Sequence, residues 1–208
     1  MPLYKTITPN RETTVKIWKI KESYDALMVG VDLTSNSLKR VLSMKSELHQ
    51  RGFLSVRHLL KAFGYADADL FYDQNGKPHL KDGKQISITH SFNFSAVIVS
   101  DLIVGIDIEK QRDKIGVIAH KFIDYELDYL NNTANDYINK LTVIWCIKES
   151  LYKLFCTPGL SFKQHCLAIP FEINDEETIA WIDYKSRKHR YNIEFLEFEG
   201  FTCAYAIA

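Results

Sequence analysis

No stretch of this chain approaches the ~18 consecutive apolar residues that a membrane span requires, and no two cysteines stand at the Cys-x-x-Cys spacing of a zinc site. The first absence argues against a membrane protein. The second leaves Cys146, Cys156, Cys166 and Cys203, far apart in hydrophobic contexts, as buried reduced thiols rather than a disulfide framework. Net charge is lacking too: 26 Lys and Arg balance 26 Asp and Glu, so no global field recruits nucleic acid or an anionic membrane, and any anion site must be local. Low-complexity tracts and long linkers are missing, so order is expected almost throughout. The opening MPLYKTITPNRETT has no apolar h-region of the secretory kind, which points to a cytoplasmic protein.

What is present is core material. The 208 residues are 46% apolar and 12% aromatic, enough for one large domain or two small ones that fold alone. Val15 and Ile17 alternate with polar neighbours in TTVKIWKI, the period of a strand. From Ser37 to about Phe63 a leucine-rich stripe predicts a long helical region broken near Gly52 and stopped by Gly64. A turn at Asp73 to Pro78, a second near Asp82-Gly83, and the strands ISITH and FSAVIVS follow. The second half repeats that order: the strand VGIDIE, a long helix from about Asn135 to Phe155, then strands at CLAIPF, TIAWIDY, YNIEFLEF and FTCAYAIA. Glu199-Gly200 can turn the last hairpin, whose alternating Tyr191, Ile193, Phe195 and Phe201, Cys203, Tyr205 suggest one covered face. The expected architecture is α+β, with two similar halves at 1–101 and 102–208, the second carrying the acids discussed next.

Within VGIDIEK, residues two apart share a strand face, so Asp107 and Glu109 point one way while Ile106 and Ile108 point to the other, towards the core. Two adjacent carboxylates repel unless a cation compensates them, and a hard divalent ion accepts such oxygens. A solvated strand face would carry the same pattern, and Asp-x-Glu alone does not decide between them. In WCIKESLYKLF, Ile144, Ile147, Leu151, Leu154 and Phe155 make the buried stripe, whereas Trp145, Glu149 and Lys153 fall at i, i+4 and i+8 on another face. Taken alone, Glu149 and Lys153 would be an ordinary surface pair. His90 ends the strand of ISITHS, and a histidine there serves equally as a structural hydrogen-bonder; Gly76-Lys77-Pro78 presents a cation on a stiff turn.

These stretches taken in order, Gly76-Lys77-Pro78, Ser87 to Ser91, Gly105 to Glu109 and Trp145 to Lys153, resemble the 4'-phosphopantetheinyl transferase superfamily, specifically its double-length, surfactin-synthetase-activating type. Phe122 to Glu126 looks like the Phe-x-x-x-Glu element that the family places between its last two motifs. The resemblance spans residues 50 to 165 and implies a fold of two α+β halves with pseudo-twofold symmetry and the coenzyme in the cleft between them. It implies an enzyme of the holo-[acyl-carrier-protein] synthase type, which moves the phosphopantetheine arm of coenzyme A to a serine of an acyl, peptidyl or aryl carrier protein and releases adenosine 3',5'-bisphosphate. Magnesium, or alternatively manganese, is the implied metal, with Asp107, Glu109 and Glu149 as ligands and coenzyme A as substrate. Catalytic roles fall on Glu149, Lys153 and Asp107; Lys153 and His90, with Ser91 beside it, meet the coenzyme phosphates, Lys77 and Pro78 the adenylate end, and Arg57 the 3'-phosphate.

Trp145 reads as a packing anchor beside this site, and Arg51, His58 and Lys61 as added positive potential or a solvated helix face. Lys110, Arg112, Lys114 and the Ile115 to Phe122 segment are candidates to dock an acidic carrier protein, or else a mobile loop. Coenzyme A and the carrier are the expected partners of a monomer, with neither nucleic acid nor membrane. Two alternatives stand beside this reading: a divalent-metal phosphohydrolase using the same carboxylates, and a catalytically inactive coenzyme A-binding protein, for which three converging carboxylates would be superfluous.

Overall fold

In the computed structural model, which describes residues 3–208, the chain divides between Leu102 and Ile103 into two compact α+β units. The first begins with β1 (Leu3–Asn10) and β2 (Thr13–Lys19), followed by α1 (Tyr24–Met28), α2 (Ser35–Ser43) and α3 (Glu47–Ala62). A small hairpin of β3 (Leu70–Tyr72) and β4 (Pro78–Leu80) precedes β5 (Gln85–Ser91) and β6 (Phe94–Ser100). The main sheet is antiparallel in the order β1-β2-β6-β5. Helix α3 packs Phe53, Leu54, Val56, Leu59 and Leu60 into a core shared with Trp18, Val97 and Val99 of the sheet. A hydroxyl pair, Ser55 Oγ to Ser95 Oγ at 2.8 Å, pins the same helix to β6.

Three details of this unit depart from the periodicity. The helical region breaks at residues 44–46, between α2 and α3, and Gly52 lies inside α3. Its role there is clearance: a Cβ at Gly52 would stand 3.1 Å from the His90 ring, so the missing side chain lets that imidazole lie against the helix. β1 and α1 were not foreshadowed; β1 is the outer strand of its sheet and exposes most of its side chains, so it carries little hydrophobic signal.

The second unit runs β7 (Val104–Lys110), α4 (Lys114–Ile118), α5 (Tyr137–Phe155), α6 (Phe162–His165), β8 (Cys166–Ala168), β9 (Glu177–Tyr184), β10 (Arg187–Phe198) and β11 (Phe201–Ile207). Its sheet is antiparallel in the order β7-β11-β10-β9-β8. The β10–β11 turn is Glu199-Gly200, both at positive φ (49° and 74°), the geometry of a two-residue hairpin whose twist matches its strands. Helix α5 lies across β7 and β11 with Leu141, Ile144, Ile147, Leu151 and Leu154 inward. The expectation of a single covered face fails for β11, which is buried continuously from Phe201 to Ala206. Small Ala204 and Ala206 belong to the α5 core, and Cys203 and Tyr205 on the opposite side are buried as well.

Candidate active site

The site begins with a missing side chain. A Cβ at Gly105 would stand 1.9 Å from the Ser150 carbonyl oxygen and 3.1 Å from Leu154 Cβ, so only glycine lets α5 settle this closely on β7. The Ser150 hydroxyl donates to Ala204 O at 2.9 Å, fixing the helix on the neighbouring strand. Gly105, Asp107 and Glu109 alternate along one side of β7. The acids therefore lie on the side where α5 packs, rather than on a solvated face: Asp107 is 5% exposed and Glu109 half-buried. Ile106 and Ile108, opposite, are buried too.

From α5, Lys153 closes the arrangement. Its Nζ donates to Asp107 Oδ1 at 2.7 Å and to Ile106 O at 2.9 Å. Glu149, one turn earlier, sits among like charges: burial first, then the charge of Asp107 and that of Glu109, push its carboxyl up to about 7, with Lys153 opposing. A carboxyl held at that value can take up or release a proton near neutrality. Trp145, a further turn back, meets Phe122 and Phe162 edge-on, with centroids 5.1 and 5.7 Å away. It also walls a pocket of about 180 Å³ with Glu109, Arg112, Lys114, Ile115 and Ile118.

Among the described residues no three His, Cys, Asp or Glu side chains form a ready-made metal cage. The chemistry of the donors nevertheless fits a hard divalent ion: all are carboxylate oxygens, and a cation would offset both the burial and the neighbouring acids that raise Glu149.

The remaining predicted residues belong to the first unit. His90 is exposed at the end of β5, opposite Ser95, its ring against Gly52 and 6.3 Å from that of His49. Ser91 is buried and pairs with Phe94 across the turn. Lys77 belongs to a turn organised by Asp73, whose carboxylate accepts from the Asn75 and Lys77 amides, and Pro78 opens β4. Arg57 is 5% exposed, with Nε bonded to Asp67 Oδ1 at 2.9 Å and its guanidinium carbon 3.4 Å from the Phe53 ring centroid. Together with Lys61 and Tyr65 it lines a cavity of about 230 Å³. Its charge is already matched, so a phosphate there would have to share it with Asp67.

One polar constellation escaped the sequence reading. Lys148, wholly buried on α5, meets Glu126, also wholly buried, at 2.8 Å. Its ammonium donates further to Phe122 O at 2.7 Å and Phe162 O at 3.2 Å, while Glu126 accepts from the Ala168 amide at 2.9 Å. The Phe122-x-x-x-Glu126 spacing was the available signal, but no periodicity assigns a partner across 22 residues of chain.

Compared with known proteins, residues 103–206 match the family model of the 4'-phosphopantetheinyl transferase superfamily. No curated protein matches the chain.

Proposed function

Because the chain belongs to the 4'-phosphopantetheinyl transferase superfamily, we propose that it moves the phosphopantetheine arm of coenzyme A onto a serine of a carrier protein, as a member of the double-length, surfactin-synthetase-activating type. The observation that carries this reading is the notch at Gly105, which sets Glu149 and Lys153 of α5 beside Asp107 and Glu109 of β7. A long helix over a sheet in each unit supports the double-length type. The serine oxygen attacks the phosphorus bearing the pantetheine arm, the bond to the bridging oxygen breaks, and adenosine 3',5'-bisphosphate leaves.

Each side chain then has a task. Asp107, Glu109 and Glu149 would hold magnesium, or manganese in its place, which when bound stabilises charge on the pyrophosphate oxygens. Lys153 offsets the charge that develops on the phosphoryl group, by preorganised electrostatics. Glu149 is also assigned the acceptance of the serine proton. In the first unit His90 and Ser91 serve the coenzyme phosphates, Lys77 and Pro78 the adenylate, and Arg57 the 3'-phosphate.

The test is the intact mass of a purified apo carrier protein incubated with this protein, coenzyme A and magnesium, beside an EDTA control. A gain of one phosphopantetheine arm that requires the metal is the expected result. Phosphate release without carrier modification would favour the phosphohydrolase instead. Coenzyme A binding with no transfer to acyl, peptidyl or aryl carriers would favour the inactive binding protein.

A further inference from the structure

Helix α4 poses a mechanical question. It has five residues, none of them buried, and no side chain caps its N-terminus. A helix this short does not hold itself in water, because nucleation costs more than one turn of hydrogen bonds returns. Yet its Lys114, Ile115 and Ile118 line the same pocket as Glu109 and Trp145. Ile115 and Ile118 pack against the core of the unit, but Lys114 and Val117 lie outside it, so the placement of this wall of the pocket also depends on the chain that follows α4.

The chain leaving α4 passes through a single 3-10 turn at Ala119–Lys121 to Phe122 and Ile123, both buried. There Lys148 takes hold of it. The Lys148 ammonium bonds Phe122 O and both oxygens of Glu126, and Glu126 in turn accepts from the Asp124 and Ala168 amides. Phe122, so held, presses its ring edge-on against Trp145. A second tether, Lys163 Nζ to His120 O at 3.2 Å, is exposed and screened by solvent.

We propose that Lys148 and Glu126 are positioning residues that fasten the wall of residues 114–123 against Trp145 and so shape the approach of the serine-bearing acceptor, while leaving the coenzyme's binding alone. The acceptor half of this statement rests on the transferase reading. The mechanical half does not.

Hydrogen exchange and kinetics on the full chain test the two halves. In Glu126→Gln, amides 114–123 should exchange at least tenfold faster while β9, β10 and β11 keep their wild-type protection; the KM for the carrier protein should rise at least tenfold and the KM for coenzyme A stay within twofold. Should Glu126→Gln fail to fold, the pair Lys148→Met with Glu126→Leu removes both charges without stranding either in the core. It should show the same local loosening, because Phe122 O and the Ala168 amide still lose their partners. Unchanged exchange at 114–123, exchange raised evenly across the unit, or equal rises in both KM values would overturn the proposal, since a merely structural pair lowers the folded fraction without separating the substrates. If the wild type transfers nothing, the transferase reading and the acceptor role fall together, and the exchange data still decide whether the pair fastens the wall.

Discussion

Among single residues, Glu149 carries the sharpest conflict between stability and function. Its carboxyl titrates near 7 in the folded chain and near 4.3 when unfolded. The folded state therefore favours its protonated form, and stability is lost progressively as pH rises through that interval. In EDTA at pH 8, Glu149→Gln should raise the free energy of unfolding by about 2 kcal/mol, discounted from the full linkage value for partial exposure, and should abolish transfer. Urea titrations at pH 5 and pH 8 check this; a variant no more stable than wild type at pH 8 would show that burial and the neighbouring acids do not disfavour the charged carboxylate. Asp107→Ala should likewise end magnesium-dependent transfer in the mass assay. Because it also strips Lys153 of a partner at 2.7 Å, it should cost about 1–2 kcal/mol as well. Arg57 behaves differently: cutting it to Ala leaves the buried Asp67 carboxylate to the Thr34 amide and hydroxyl and the Ser37 hydroxyl, and about 1–3 kcal/mol should be lost in denaturant titrations. A coenzyme-binding defect at Arg57 has to be read on protein first shown to be folded. Burial raises Asp67, but the Thr34 amide, the Ser37 hydroxyl and Arg57 outweigh it and hold the carboxyl below its ordinary range. The stability it contributes is present above about pH 4 and should be lost as pH falls further, which acid unfolding of wild type and Asp67→Asn would reveal.

For whole elements, the decisive fact is how closely α5 approaches β7. Gly105→Ala must push the Ser150 carbonyl aside by more than an atom's slack, and about 3 kcal/mol or more should be lost. Denaturant midpoints measure this; an unshifted midpoint would mean that the helix yields freely and the acids are not held by it. The helix was legible in sequence from its apolar stripe, and so were the acids of VGIDIE as a same-face pair. What periodicity could not supply was the covering of that face. Gly105 and Asp107 look polar or neutral in a hydropathy pattern, yet Gly105 is where packing is tightest. Gly52 misled for the same reason: a glycine admits a neighbour as readily as it ends a helix, and here the neighbour is the His90 ring. Partners distant in sequence, Arg57 with Asp67 and Lys148 with Glu126, left no periodic trace because ion pairing has no spacing rule outside a helix face.

Taken as a molecule, the described chain has no helix long and apolar enough to cross a membrane, and its two units each build an antiparallel sheet against a long helix. The chemistry-bearing acids and Lys153 all fall in the second unit, where β7 pairs with β11 and lies under the helix that packs on both. That makes the two-residue turn at Glu199-Gly200 a ruler for the whole unit. Phe198 and Phe201 face each other across it, and every later pairing, down to Ala204 beside Asp107, is counted from there. One residue inserted at that turn would slip β11 by a step, presenting Cys203 and Tyr205 to α5 in place of the small alanines. The same insertion at residues 131–136, a loop ahead of α5, shifts no strand register. Length changes in this protein should therefore accumulate in the second place and be refused in the first.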